Sequence, residues 1–387
     1  MQLPHVLQLA ALGLMVALLP LSLVWASTDD KVRKLAAVTL FLTFDLIVFG
    51  GFTRLTDSGL GCPDWPGCYG QANPLQAHAD ISAAQAAMPS GPVTVVKAWI
   101  EMIHRYLAMA VGVLIVSLMV LAWRRWWRAR RTLVAPSAVT GTSPWLPTFL
   151  FAFVCLQGAF GAWTVTLKLQ PVIVTIHLLL GMGLLGLLSW LYAQQHGHPV
   201  LEAGSGGLRL PARIAFVLLV LQIALGGWVS TNYATLACTD FPLCHGEVIP
   251  TMDFSHGFTL WRKLGMTSAG DYLPFSALTA IHWVHRNFAF VVIAAAVWAA
   301  RRALKVPVTR TLGFALLGAV SLQFFTGVAT IYLQWPLALA VAHNAGAALL
   351  VLVLVMLNYR AGIGRSQFVS RPDRASSGPL RPAQSFS

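Results

Sequence analysis

Five histidines lie inside long apolar segments of this 387-residue chain, namely His104, His177, His282, His285 and His343. A charged side chain costs roughly 2.5–3.5 kcal/mol to place in the middle of a membrane, so an ionisable residue there is a candidate for function. His104 and His177 fall about six residues after the starts of their segments, and His285 and His343 about seven to nine. At the rise of an α-helix, each of these pairs shares one level near one end of its segments.

Two imidazoles at one level are what axial ligation of a haem iron requires. Zinc needs three or four ligands, and neither half of the chain offers a third His or Cys at that level. The pattern therefore predicts two bis-histidine haem sites, His104 with His177 and His285 with His343. Proton relay, or plain hydrogen bonding between helices, stays open for any single histidine.

The residues next to these histidines differ between the halves. Glu101 precedes His104 by three positions and shares its helical face, whereas His282 holds the matching place before His285 and is a candidate contact to the second haem. A buried carboxylate beside a cofactor can hold or relay protons. The difference predicts chemistry in the first half and a permanently bound haem in the second. Arginines near the same end are candidates to pair with haem carboxylates. They are Arg54, Arg105 and Arg286.

The segments that carry these residues belong to a membrane protein. The chain is 57% hydrophobic and 10% charged, with a mean hydropathy of +0.70, whereas soluble domains are about 25% charged. The net charge of +13 does not predict nucleic-acid binding, because Lys and Arg stand in short clusters between apolar runs. Apolar windows long enough to cross a membrane number nine. They are 7–26, 35–53, 98–123, 146–165, 172–193, 211–230, 277–300, 311–331 and 337–358.

Basic residues between the windows predict the orientation. One set of connections holds 19 Lys and Arg and the other holds 5, and basic connections stay in the cytoplasm. We therefore expect a cytoplasmic C-terminus and extracytoplasmic loops at 54–97 and 231–276. The first window could be a signal peptide cleaved after Ala26, but it lacks a basic start, and Lys31, Arg33 and Lys34 follow it. We expect it to be retained as an extra helix.

An internal repeat organises the rest. An offset of 176 aligns Gly50-Gly51 with Gly226-Gly227, Cys62 with Cys238 and Cys68 with Cys244, and later helices match at 181 and 166. We expect an all-α polytopic membrane protein of two tandem pseudo-symmetric four-helix bundles plus one extra N-terminal transmembrane helix. The expected units are an N-terminal helix and link (1–34), a first bundle (35–193), a cytoplasmic linker (194–210), a second bundle (211–358) and a disordered basic tail (359–387).

Each long loop contains a pair of cysteines. Cys62 with Cys68, and Cys238 with Cys244, enclose five residues each and lie on the side predicted to be oxidising, which favours a disulfide in each loop. A metal site using His245 beside Cys244 is the alternative, although the loop lacks a Cys-x-x-Cys spacing.

These features together resemble the heme A synthase family, the membrane haem O monooxygenases of cytochrome oxidase biogenesis, and its proteobacterial type in particular. The resemblance covers about 35–358 and rests on the Gly50-Gly51-Phe-Thr-Arg-Leu segment, Cys62-Pro-Asp-Trp-Pro-Gly-Cys68, Glu101-Met-Ile-His-Arg105, His177, His285-Arg286 and His343. It implies that His285 and His343 ligate a haem b, and that His104 and His177 line the haem O site with Glu101 as the essential acid. It also implies oxidation of the C8 methyl of haem O to a formyl group, and a Cys62–Cys68 disulfide.

The resemblance implies a bacterial inner-membrane enzyme with periplasmic loops. Its expected partners are membrane lipid, haem O and haem A, haem O synthase, cytochrome oxidase assembly factors, an electron donor that the sequence does not identify and a second copy in a homo-oligomer. Two other classes of protein stay open: a diheme electron carrier like a quinol-oxidising cytochrome b, and a transporter. Glu101, without a counterpart in the second half, speaks against the carrier. The position of the polar residues near one membrane face speaks against the transporter.

Overall fold

The structure is a computed structural model that describes residues 3–28, 30–131, 143–195 and 205–369. Regular structure within those ranges is helical. The helices are α1 (Leu3–Ala26), α2 (Lys31–Leu55), α3 (His78–Ala87), α4 (Val95–Arg131), α5 (Trp145–Thr166), α6 (Pro171–Gln194), α7 (Arg209–Thr231), α8 (Phe254–Gly257), α9 (Phe275–Leu304), α10 (Arg310–Tyr332) and α11 (Leu337–Val369).

Nine helices in the described ranges are long and apolar enough to cross a membrane, namely all except α3 and α8. They coincide with the nine windows predicted from the sequence, so the all-α polytopic fold is confirmed. α3 and α8 lie in the two long connections, 56–94 and 232–274. We call the membrane face that carries both connections the loop end.

Helices pack in the same order in the two halves. In the first half α2 contacts α4, α4 contacts α5, α5 contacts α6 and α6 returns to α2; α7, α9, α10 and α11 form the same ring in the second half. The halves meet through their first and last helices, because α11 packs against α2 and α6, and α7 packs against α6. α1 lies outside the first ring, against α4 and α2. The domain boundaries stay a prediction.

The two interiors use different side chains. Leucines fill the first bundle, among them Leu114, Leu150 and Leu188. In the second bundle α9 carries a row of buried alanines that includes Ala296 and Ala300. Small residues let helix backbones approach closely, so α9 packs more extensively against α7 and α10 than α4 does against α2 and α5.

Matching turns set the depth of the last histidine in each half. Lys168 and Leu169, between α5 and α6, have φ of 52° and 57°, and Gln334 and Trp335, between α10 and α11, have 54° and 65°. Positive φ is uncommon outside glycine, so two adjacent cases at repeat-related positions identify the same tight turn. Each turn starts the following helix at the loop end, a few residues before its histidine.

The structure describes only part of the predicted tail and of the predicted linker, and the part of the tail that it describes is not disordered. α11 continues past its predicted end at 358 to Val369, so the first part of the predicted tail is helical, and 370–387 lie outside the described residues. Most of the predicted linker, 196–204, also lies outside them.

Candidate functional site

The four predicted ligand histidines are half-buried, and each ring lies against a glycine of a neighbouring helix. A Cβ at that glycine would come within 3.2 Å or less of the Cε1 atom of the ring, so a methyl group there would require the ring to move. The pairs are Gly50 with His104, 2.9 Å; Gly161 with His177, 3.2 Å; Gly226 with His285, 3.0 Å; and Gly327 with His343, 3.1 Å. The four contacts occur at repeat-related positions, so the sequence builds the same cradle twice in each bundle.

The structure brings the histidines together in the predicted pairs. His104 on α4 is close enough to His177 on α6 to interact electrostatically, and His285 on α9 stands in the same relation to His343 on α11. The described residues contain no group of three or more His, Cys, Asp or Glu that could hold a metal ion. A site of two imidazoles fits the donor set of a bis-histidine haem and not that of zinc.

The rings of the second bundle are held by side-chain hydrogen bonds. The Gln222 amide donates to Nδ1 of His285 at 3.2 Å. The Thr326 hydroxyl and Nδ1 of His343 are hydrogen-bonded at 3.0 Å, and the Gln323 amide donates to Nε2 of the same ring at 3.1 Å. Partners on the second ring nitrogen fix the orientation of a histidine that ligates a metal.

The rings of the first bundle lack those partners. Nδ1 of His104 and Nδ1 of His177 are buried and have no hydrogen-bond partner within the described residues. Leu46 occupies the place of Gln222, and Phe160 the place of Thr326. Gln157 bonds only the backbone carbonyl of His177, at 3.1 Å. The two sites therefore share their cradles and differ in how firmly their rings are held.

The second site can adapt to an iron atom without new residues. A histidine that ligates through Nε2 carries its proton on Nδ1. The Oε1 atom of Gln222 is buried without a partner among the described residues, so turning this amide would let Oε1 accept that proton. The Gln323 amide would turn away from Nε2 of His343, and its Oε1 is likewise unpartnered there. These orphaned acceptors fit a haem between the two rings.

Glu101 and Arg105 hold the first cysteine loop. The buried Glu101 carboxylate accepts the Cys62 N–H at 2.8 Å and forms an ion pair with Arg105. Arg105 donates from Nη1 to the backbone carbonyls of Asp64, at 3.0 Å, and Gly67, at 2.5 Å. The acid and the arginine that flank His104 thus connect its helix to the loop above it.

His282 and Arg286 make the equivalent contacts in the second bundle. The Cys238 N–H donates to Nδ1 of His282 at 3.2 Å, and Arg286 donates to the Asp240 carbonyl at 2.7 Å. A neutral imidazole here replaces the carboxylate of Glu101, so Arg286 has no acid beside it on its own helix. Asp240 of the second loop attracts Arg286 without forming an ion pair with it among the described residues, whereas Arg105 is paired directly with Glu101. Arg286 is therefore the less neutralised of the two arginines, which suits an anionic haem edge.

Both cysteine loops close in the same way. Cys62–Cys68 and Cys238–Cys244 form disulfides, as the sequence predicted, which leaves no thiolate for the alternative metal site. In the second loop Asp240 accepts the N–H groups of His245, at 2.8 Å, and Gly246, at 2.9 Å. The hydrogen bond from Gly246, with that from His245, holds the pKa of the Asp240 carboxyl below its ordinary value.

Arg54 lies at the contact between the two halves. Its Nη2 donates to the Ser230 carbonyl at 2.7 Å, its Nη1 pairs with Asp57 at 3.1 Å, and it stacks over the Tyr233 ring at 4.3 Å. The Tyr233 hydroxyl also donates to Asp57 at 2.6 Å. Both contacts join repeat-related positions, since residues 54 and 230, and residues 57 and 233, are each 176 positions apart. Within the described residues Arg54 makes no hydrogen bond or ion pair with the histidines of the first bundle.

Two features of the first bundle were not among the predicted site residues. Phe49 stacks on the His104 ring with centroids 6.2 Å apart, one residue before the cradle glycine Gly50. Asp45 is an exposed carboxylate in the loop-end half of α2. The signal for Asp45 was available, because a charge inside an apolar window is rare. Gln157, Gln222 and Gln323 are each followed four residues later by a glycine, a spacing that on sequence alone indicates only close helix packing. In the structure these residues contact the histidines.

Comparison with known proteins places the chain in a family. It matches the COX15-CtaA family, described as cytochrome oxidase assembly protein, over residues 33–355. It is 37% identical over 328 residues to heme A synthase of Shewanella oneidensis, an alignment that covers 84% of this chain and 95% of that protein. It is 31% identical to heme A synthase of Methylobacterium sp. (strain 4-46), over 89% of this chain and 98% of that protein. It is 30% identical to heme A synthase of Caulobacter vibrioides, over 86% and 97%. The chain belongs to the COX15-CtaA family of cytochrome oxidase assembly proteins.

Proposed function

We propose that this protein is a heme A synthase that oxidises the C8 methyl group of haem O to the formyl group of haem A. The family match and the names of its relatives support this activity. In monooxygenase chemistry two successive hydroxylations of the methyl carbon each use one dioxygen and two electrons from an external donor. The resulting geminal diol loses water and leaves the formyl group.

The observation that carries the proposal is the difference between two repeat-related sites. Both offer paired imidazoles on glycine cradles, but only the second holds Nδ1 of each ring through Gln222 and Thr326. A resident cofactor benefits from ligands that are fixed, because outer hydrogen bonds orient and strengthen them. A substrate must leave after each turnover, and rings without such partners suit that exchange.

In the second bundle His285 and His343 would ligate haem b. Arg286 would pair with a haem carboxylate, since no acid on its own helix neutralises it, and His282 holds the Cys238 loop next to it. Bound there, haem b would supply one-electron transfer.

In the first bundle His104 and His177 would bind haem O as substrate. Gly50 and Gly161 fix the approach of the two rings, and Phe49 stacks on the His104 ring. We propose that Glu101 is required for turnover as the acid of this site, and that its bonds to Arg105 and the Cys62 N–H fix its position relative to His104. Arg105 and Arg54 complete the proposed site at the loop end.

The charge distribution supports a bacterial inner-membrane location with both cysteine loops in the periplasm and a cytoplasmic C-terminus. An oxidising periplasm fits the two disulfides. The product implies contact with haem O synthase, cytochrome oxidase assembly factors and an electron donor, and a homo-oligomer is part of the same proposal.

The matched histidine pairs also favour a second candidate, a diheme electron carrier. Conversion of substrate separates the two. Haems would be extracted from protein purified from cells that supply haem O, separated by chromatography and identified by mass spectrometry. Haem A in wild-type protein, and its loss in His104→Ala with haem b retained, supports the synthase. Two haem b molecules per chain without haem A would identify a carrier.

A further inference from the structure

An aromatic cluster closes the gap between α9 and α10 in the second bundle. Phe241, inside the Cys238–Cys244 loop, contacts Phe290 of α9 and Phe324 of α10, with ring centroids 6.5 and 6.2 Å apart. The Tyr332 hydroxyl donates to the Phe241 carbonyl at 2.8 Å, and the Arg286 guanidinium lies 5.8 Å from the Phe241 ring centroid. The loop is thus fastened to both helices at the level just below it.

The first bundle lacks this cluster at every matching position. Trp65 replaces Phe241 and is 47% exposed, with no ring contact to any described residue. Gly158 replaces Phe324, and a Cβ there would meet nothing within 4 Å. Met109 replaces Phe290 and packs against Gly13 of α1 instead.

The packing of the helices differs between the two bundles in the same direction. α4 packs less extensively against α5 than α9 does against α10. Thr166 stands where Tyr332 fastens the second loop, and its hydroxyl bonds only Ala162 of its own helix, at 3.2 Å. The first bundle therefore has a less extensive contact between α4 and α5. Its loop is held by Glu101 and Arg105 of α4, and within the described residues it has no counterpart of the Tyr332 bond to the neighbouring helix. A glycine stands where the second bundle has a phenylalanine.

We propose that the seam between α4 and α5 at the loop end is the entrance through which haem O passes sideways from the bilayer into the first site, with Trp65 as its cover. This inference rests on the proposed function for the identity of the molecule that passes. Haem O carries a long hydrocarbon tail, so lipid is its natural solvent, and a lateral path avoids moving that tail through water. Phe241, Phe290 and Phe324 close the corresponding path beside the resident haem.

Exchanging the two residues at the seams tests the proposal. Gly158→Phe installs the ring of the second bundle and should slow binding of haem O, supplied in lipid nanodiscs, by about tenfold or more. The readout is the rate at which the haem O absorption of the complex appears, which does not depend on turnover. Leu156→Phe puts the same ring on an exposed position of α5 and should leave the rate unchanged.

The reciprocal variant tests the contact between α9 and α10 in the second bundle. Phe324→Gly should speed transfer of haem b to excess apomyoglobin by about tenfold. Phe314→Gly removes an exposed ring from the other end of α10 and should not. Haem O uptake by Gly158→Phe at the wild-type rate, or haem b retained by Phe324→Gly as in wild type, would overturn the inference. Neither readout requires haem A, so protein that takes up haem O but never oxidises it would refute the proposed function and leave the entrance standing.

Discussion

Replacing Glu101 by glutamine removes one charge from a buried site and leaves its shape intact. The side chains of Glu101 and Arg105 are 5% and 10% exposed, so their ion pair is shielded from water. Breaking a buried pair by removing one partner costs about 3–5 kcal/mol. Glutamine still accepts the Cys62 N–H, and Arg105 keeps its bonds to the Asp64 and Gly67 carbonyls. We therefore expect a smaller loss of folding free energy, about 1–3 kcal/mol, which is the penalty of an unpaired buried donor.

Activity should fall much further than stability. Loss of a positioned acid or base typically lowers a rate by about 100-fold or more, so Glu101→Gln should make almost no haem A. The low-spin haem b spectrum should stay intact, because His285 and His343 belong to the other bundle. The assay is extraction of the variant after expression with a haem O source, followed by the ratio of haem O to haem A and an absorption spectrum of the same sample.

His282→Gln is the matched control, because glutamine there also keeps an acceptor for the Cys238 N–H. It should disturb the haem b spectrum more than the yield of haem A. Wild-type haem A yield from Glu101→Gln would show that the carboxylate only fastens the loop, and the reasoning from the acid would be wrong.

Three further outcomes are expected. His285→Ala should abolish the low-spin haem b spectrum, and an unchanged spectrum would remove this histidine from the ligand set. Gly226→Ala should shift or weaken the same spectrum, because its Cβ would lie 3.0 Å from the ring of His285, whereas Gly318→Ala, with nothing within 4 Å, should not. A membrane-permeant maleimide should label unreduced protein at Cys155 alone, and peptides labelled within both loops would contradict the disulfides.

The membrane spans and the histidine pairs could be predicted because they depend on local pattern. Span length follows from hydropathy, and His104 and His177 share a level because helical rise is regular. The internal repeat then predicts the second pair, His285 and His343, because two copies of one sequence pattern are expected to form the same structure. Gly161 and Gly327 had a recognisable spacing to glutamine, but the ring that each one contacts lies on the next helix.

The bonds from arginine side chains to backbone carbonyls of the loops could not be predicted from the sequence. Arg105 bonds to carbonyls of residues about forty positions earlier, and backbone carbonyls leave no trace in residue type. Arg54 is predicted to pair with a haem carboxylate, but its bond to the Ser230 carbonyl, across the contact between the two halves, could not be predicted from residue type. Only the packing of the two halves against each other decides such contacts.

Whether the protein converts haem O to haem A is decided by mass analysis of the haems extracted from purified wild-type protein made in cells that supply haem O. We expect one haem b per chain together with haem A. Unconverted haem O beside an intact haem b spectrum, in a sample supplied with dioxygen and reductant, would contradict it.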